Sequence, residues 1–289
     1  MNTTWSEHND ATVIRHKFKK VKDSFWVLLT SDVHKDNKKC DVKFLKSVLE
    51  EAKAKEAIII DNGDWFDVMG GKYDKRTSKS DILPKFQEGN YFDLVVQDSV
   101  DFLAPYAHLI AILGEGNHEQ SVNQRHERNL TKNLIKDLNT LHGGKIIHQK
   151  YDGFVRFAFT YDTESTFSTV LYRNHGFGGN SPVTLGVINT NRSQVNVDAD
   201  IFVYGHIHNK WVVYKANKGL NKNNELKITD KIHIQLSTFK NSVESQWEVS
   251  KNFAPPSLGA AWLKFTYERV ENNKLRSRRI KTEVFLIGQ

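Results

Sequence analysis

Hydrophobic positions along the chain fall into two textures. In the first half, short unbroken apolar runs alternate with stretches of helical periodicity. Phe25–Thr30 is a compact apolar run that stops at Ser31-Asp32, as a strand buried on both faces does. Val42, Leu45, Val48, Leu49 and Ala52 then recur at helical spacing and predict an amphipathic helix over 41–55. Ala57–Ile60 predicts a second buried strand, ending in Asp61-Asn62-Gly63-Asp64, and 91–104 reads as helical. A third run, Leu109–Leu113, ends at Gly114-Glu115-Gly116, and Leu130, Leu134, Leu138 and Leu141 predict a helix over 128–141. Beyond that the signal is strand after strand: Phe154–Thr160, Ser168–Asn174, Ile201–Tyr204, Lys210–Tyr214, Ile232–Leu236 and a last hairpin turning around Asn272-Asn273.

Strand–helix alternation followed by a strand-rich half predicts an α/β or α+β sandwich. No repeat and no Gly/Ser/Pro-rich linker divides the 289 residues, so a single domain is expected over 1–289, with its chemistry in 25–215 and a basic, strand-rich extension over 216–289. The 39% hydrophobic content fills a core, which excludes a disordered or low-complexity chain. One cysteine, Cys40, excludes an internal disulfide and fits a reducing compartment. Met1 to Lys22 is polar, without the apolar stretch of a secretory leader, and the longest apolar runs are strand-sized. A cytoplasmic protein without membrane contact is expected. The net charge of +7 is uneven: residues 209–289 hold 15 Lys+Arg against 7 Asp+Glu, so the whole excess sits in the last quarter. Such a region attracts polyanions, nucleic acid among them, or guards the edge of a sheet.

Five short segments carry candidate chemistry: Asp32-Val33-His34, Gly63-Asp64-Trp65-Phe66-Asp67, Gly116-Asn117-His118-Glu119, Asn174-His175-Gly176 and Gly205-His206-Ile207-His208. Each follows a predicted strand, and open α/β sheets bind ligands at the carboxyl ends of their strands. Carboxylate, imidazole and amide oxygen are metal ligands, and the neighbouring glycines allow close approach. If these stretches are extended, Asp32 with His34, and His206 with His208, project to one side in pairs. Singly, each segment is as well explained by a surface turn, a core histidine or a helix cap. Their ordered combination is not.

That order, Asp-x-His, Gly-Asp-x-x-Asp, Gly-Asn-His-Glu, His, Gly-His-x-His, resembles the calcineurin-like metallophosphoesterase superfamily over residues 25–215. The segments Gly71–Arg76 and Ser181–Thr184 resemble a phage-associated branch, which would place the protein in the host cytoplasm. The resemblance implies two mixed β-sheets packed as a sandwich flanked by helices. It implies one metal on Asp32, His34 and His208, a second on Asn117, His175 and His206, and Asp64 bridging the two. It further implies His118 as proton donor to the leaving group, with Asp67 and Glu119 orienting the ligands or His118. Two divalent ions of this kind acidify a bridging water to hydroxide and neutralise phosphoryl oxygens. A ligand set without thiolate suits Mn foremost, then Fe, Zn, Co or Ni.

Lys72, Lys75 and Arg76 after the second segment, and Arg125, His126 and Arg128 after the third, are candidate phosphate-binding groups, or charged loops. Trp65, Phe66, Trp211, Trp247 and Trp262 stack on bases or, more ordinarily, pack the core. The expected substrate is a phosphate ester. The basic tail favours a phosphodiesterase or nuclease over a phosphomonoesterase acting on phosphoprotein or a metabolite. A non-catalytic interaction module on the same fold would be expected to lack some of these residues, and here every position is filled.

Overall fold

The computed structural model describes residues 2–68, 81–87, 89–161, 166–179, 181, 183–241, 257–272 and 275–288. Lys72, Lys75, Arg76 and Trp247 lie outside them.

The chain opens with a hairpin, β1 (Thr3–His8) and β2 (Ala11–Lys17), before β3 (Ser24–Thr30), α1 (Val42–Ala54) and β4 (Ile58–Asp61). There follow α2 (Tyr91–Leu103), β5 (Ile110–Leu113), α3 (Asn117–His126), α4 (Leu130–His142), the short β6 (Ile147–His148), β7 (Asp152–Thr160) and β8 (Thr166–Asn174). The last part comprises α5 (Asn189–Asn196), β9 (Ile201–Tyr204), β10 (Trp211–Leu220), β11 (Leu226–Gln235), β12 (Ala261–Asn272) and β13 (Leu275–Leu286).

These strands form two mixed sheets. One has the order β1-β2-β7-β8-β9-β11-β10, the other β13-β12-β3-β4-β5-β6. Side chains alternate across β3 and β4: Phe25, Val27, Leu29, Ile58 and Ile60 enter the layer between the sheets, where they meet Val155, Phe157, Phe159, Leu171 and Val203. Leu28 and Ile59 point the other way, into a second layer filled by Leu45, Val48 and Leu49 of α1, Val95 and Val100 of α2, and Leu134 and Leu138 of α4. Burial on both faces explains the unbroken apolar runs of these strands. The two-sheet sandwich with helices is therefore the observed architecture.

Within the second sheet β3, β4 and β5 run parallel, and in the first β8, β9 and β11 do. The carboxyl ends of β3, β4, β5, β8 and β9 lead into the five polar segments, which come together at one end of the sandwich.

The basic tail runs to the opposite end. Leu286 of β13 pairs with Ala261 of β12, which pairs with Leu29 near the carboxyl end of β3. Arg279 lies seven residues from Leu286 along β13, roughly 24 Å at about 3.4 Å per residue. There its guanidinium holds Glu268 across the strand pair at 2.8 and 3.0 Å. The charge at Arg278 and Arg279 therefore does not border the site, and the case for a nucleic-acid substrate draws nothing from it. At physiological salt charges are screened over about 8 Å, so Arg278→Gln/Arg279→Gln should leave kcat/KM on a small chromogenic diester within about twofold. A steady-state assay at two salt concentrations checks this. No helix among the described residues is long and apolar enough to cross a membrane.

Candidate metal centre

Five of the seven expected ligands, Asp32, His34, Asp64, His206 and His208, have φ between 50° and 71°. The pairs Asp32/His34 and His206/His208 therefore do not converge as an extended strand would make them. Left-handed backbone at alternate residues coils each segment around the site instead. This conformation is unfavourable for side chains other than Gly, Asn or Asp, and it persists where surrounding structure enforces it. Here the loops after β3 and β4 are zipped together: Asp32 N donates to Gly63 O, His34 N to Asp64 O and Lys35 N to Trp65 O, at 2.8–3.1 Å. Two glycines permit the packing. A Cβ on Gly116 would lie 2.1 Å from Asp64 Oδ1, and one on Gly205 would lie 2.1 Å from Ser31 Oγ.

The seven side chains meet. Donor atoms of Asp32, His34 and His208 lie within 4.8 Å of one another, and so do those of Asp64, His175 and His206. Asn117 Oδ1 is 2.7 Å from His206 Nδ1 and 3.3 Å from His175 Nε2. His206 and His208, two residues apart, thus serve different halves of the cluster. His34, Asp64 and His118 form a third close group.

Four of the expected ligands, His175, His34, Asp32 and Asp64, have one heteroatom tied down, which aims the other. His175 Nδ1 donates to Asn62 O at 3.0 Å, leaving Nε2 toward Asp64 Oδ2 at 3.1 Å. His34 Nδ1 sits 3.1 Å from Asp67 Oδ1, and its Nε2 faces His208 Nε2 at 3.4 Å. Asp32 Oδ2 accepts from Ser31 Oγ and His206 N at 2.5 and 2.9 Å. Its Oδ1 is buried without a hydrogen bond, 3.2 Å from His208 Nε2. Asp64 Oδ1 accepts the His118 amide at the first turn of α3, at 2.9 Å. A buried carboxylate oxygen without a donor, among imidazole nitrogens turned toward it, is a donor set arranged for cations. Such second-atom contacts fix tautomer and orientation in metal sites.

The electrostatics agree. Burial alone would lower the His175 imidazole, but Asp64 and Asp32 outweigh it and lift His175 to about 10. Burial would raise Asp32, yet His175 and His208 hold it at about 2. For His34, burial prevails over Asp67 and leaves the imidazole at about 4, a neutral ligand. Without metal, the ionised Asp32 and Asp64 thus share this buried space with a protonated His175.

His118 lies at the mouth of the cluster. Its Nδ1 donates to the Asp67 carbonyl, and its Nε2 stands 3.8 Å from Asp64 Oδ2. Glu119 is buried and accepts from the amides of Asp64, Phe66 and Gly116, fixing the β4 loop against α3. Asp67 collects His34, Asn37 Nδ2 and Lys240 Nζ at 2.9–3.1 Å. Arg128 is engaged by Asp93 in the first turn of α2, while Arg125 is exposed on α3. Trp65, Phe66 and Trp262 are core residues, and the half-buried Trp211 donates its indole N–H to Leu185 O.

Supports absent from the sequence reading come from elsewhere in the chain. Arg173 is fully buried, and its guanidinium donates to Asn62 Oδ1 and Lys150 O at 2.9 Å and, at 3.3 Å, to Asn62 O, the carbonyl that orients His175. Lys240 comes from beyond the last motif. The available signal was Arg173 itself, a charge inside a run otherwise patterned as a buried strand.

The model of the family described as calcineurin-like phosphoesterase matches residues 25–264. No curated protein matches the chain. Among solved structures, the solution NMR structure of a Thermotoga maritima protein covers 90% of this chain and 99% of its own, at 12% identity and a TM-score of 0.31.

Proposed function

We propose that this chain, which belongs to the calcineurin-like phosphoesterase family, hydrolyses phosphodiesters at a centre of two divalent cations, Mn²⁺ foremost. The observation that carries the reading is the convergence of seven side chains, Asp64 among them, into adjoining close donor groups. Asp32, His34 and His208 would hold one ion, Asn117, His175 and His206 the other, with Asp64 between them. Carboxylate, imidazole and amide oxygen without thiolate suit borderline divalent metals. Bound there, two such ions supply an acidified water and neutralise charge on the phosphoryl oxygens.

The chain's own contribution beyond holding them is His118. Because Nδ1 is committed to the Asp67 carbonyl, Nε2 is the nitrogen presented to the site. In its protonated form it delivers that proton to the departing ester oxygen, which spares the reaction a free alkoxide. Asp67 takes part twice, through its carbonyl to His118 and its carboxylate to His34. Glu119 and Arg173 act as fixed supports.

Room for a second substituent supports the diester reading. One substituent on phosphorus would leave past His118, and the other would extend toward the cavity lined by Gly176 and Gly205, the neighbours of His175 and His206. With Mn²⁺ added, bis-p-nitrophenyl phosphate should turn over with a higher kcat/KM than p-nitrophenyl phosphate. The reverse order would assign the chain to monoesters instead.

A further inference from the structure

α5 is turned the wrong way for a helix that only covers a sheet. Asn189, Arg192, Ser193 and Asn196 recur at helical spacing, and this polar stripe lines a cavity of about 240 Å³ over the first sheet. Val195, the apolar residue among them, is 84% exposed instead. Covering helices ordinarily turn an apolar stripe to the sheet. Across the cavity stand Tyr172 of β8, Tyr204 of β9 and Gln235 of β11. Phe177, two residues after His175, lies at its rim with half its surface exposed.

Gln235 is the telling group. It is 3% exposed, and its Nε2 donates to Gly205 O at 2.7 Å and Leu236 O at 3.1 Å. Its amide is thereby fixed in the cavity wall with Oε1 as the acceptor. The lining contains no carboxylate, lysine or histidine, and Arg192 is its one charged group. A cationic ligand would find no counter-charge there. Aromatic rings beside amide groups match a flat heterocycle with donors and acceptors on its edge. The volume falls below the roughly 300–1,000 Å³ of pockets for drug-sized ligands, so it suits one ring system. Gly176 and Gly205 bring the edge of this cavity to within one residue of His175 and His206.

We infer that this cavity receives the nucleobase of a nucleoside phosphodiester whose phosphorus sits among the seven ligands. The inference rests on the phosphodiesterase reading for the phosphate, but the cavity is tested without it. Calorimetric titration of the metal-free full chain with adenosine, guanosine, cytidine and uridine should show saturable one-to-one binding of at least one, and none of ribose. Arg192→Ala and Asn196→Leu, both at exposed positions of α5, should each weaken that binding about tenfold or more. If no nucleoside binds, or if both variants bind like the parent, the inference falls. Turnover of bis-p-nitrophenyl phosphate by the unmodified Mn²⁺-loaded chain is scored in parallel. Turnover without nucleoside binding removes the base pocket alone, whereas nucleoside binding without turnover supports the pocket and removes the diesterase reading.

Discussion

Asp64→Asn should strip the protein of bound metal and lower kcat/KM by more than about 100-fold, the upper end of what removing an outer partner of a ligand costs. The substitution is clean for a physical reason. Asp64 has φ of 55°, and Asn tolerates that left-handed backbone better than any other neutral residue except Gly. The amide keeps one oxygen to accept the His118 amide, as Oδ1 does now. What it lacks is charge: a neutral amide is a poor bridge between two cations. The loss should therefore appear first in metal content, measured by elemental analysis after gel filtration, with the fold retained by circular dichroism. Full metal content in Asp64→Asn would remove Asp64 from its bridging position.

His118→Ala should behave oppositely. Its imidazole approaches Asp64 at 3.8 Å but is anchored by Asp67's carbonyl. Metal content should stay at the parent level while kcat falls by about 10²–10⁴-fold, the usual worth of a positioned acid. A leaving group that is already acidic needs less protonation. The loss should hence be smaller for bis-p-nitrophenyl phosphate than for an alkyl ester, a contrast that a general packing defect would not produce. Equal losses on both substrates, or loss of metal, would contradict the assignment.

These two expectations show where the sequence was informative. Strands buried on both faces, such as β3 and β4, announce themselves as apolar runs, and the polar residues closing them stand out by contrast. Asp32, Asp64, His175 and His206 could be named for that reason. The local geometry could not, because periodicity assumes extended or helical backbone, whereas left-handed residues at five ligand positions obey neither. Arg173 and Lys240 were invisible as supports because their partners, Asn62 and Asp67, lie over 100 residues away along the chain. The hairpin β1–β2 was missed because it is an edge element, with Val13 and Ile14 as its only buried large aliphatic residues. α5 was missed because its polar stripe has no apolar period to detect. The position of the basic tail depended on strand register, which composition does not encode.

The central claim is a site for two cations, and counting them tests it most directly. The chain, stripped with chelator, is titrated with Mn²⁺ at pH 8 in two buffers of different ionisation enthalpy. His175, held at about 10 by Asp64 and Asp32, carries a proton at that pH in the metal-free state. Binding must displace it, so proton release accompanies loading and apparent affinity rises with pH up to that value. The predicted result is an end point of two equivalents with proton release. Saturation at one equivalent, or no binding, would contradict the account.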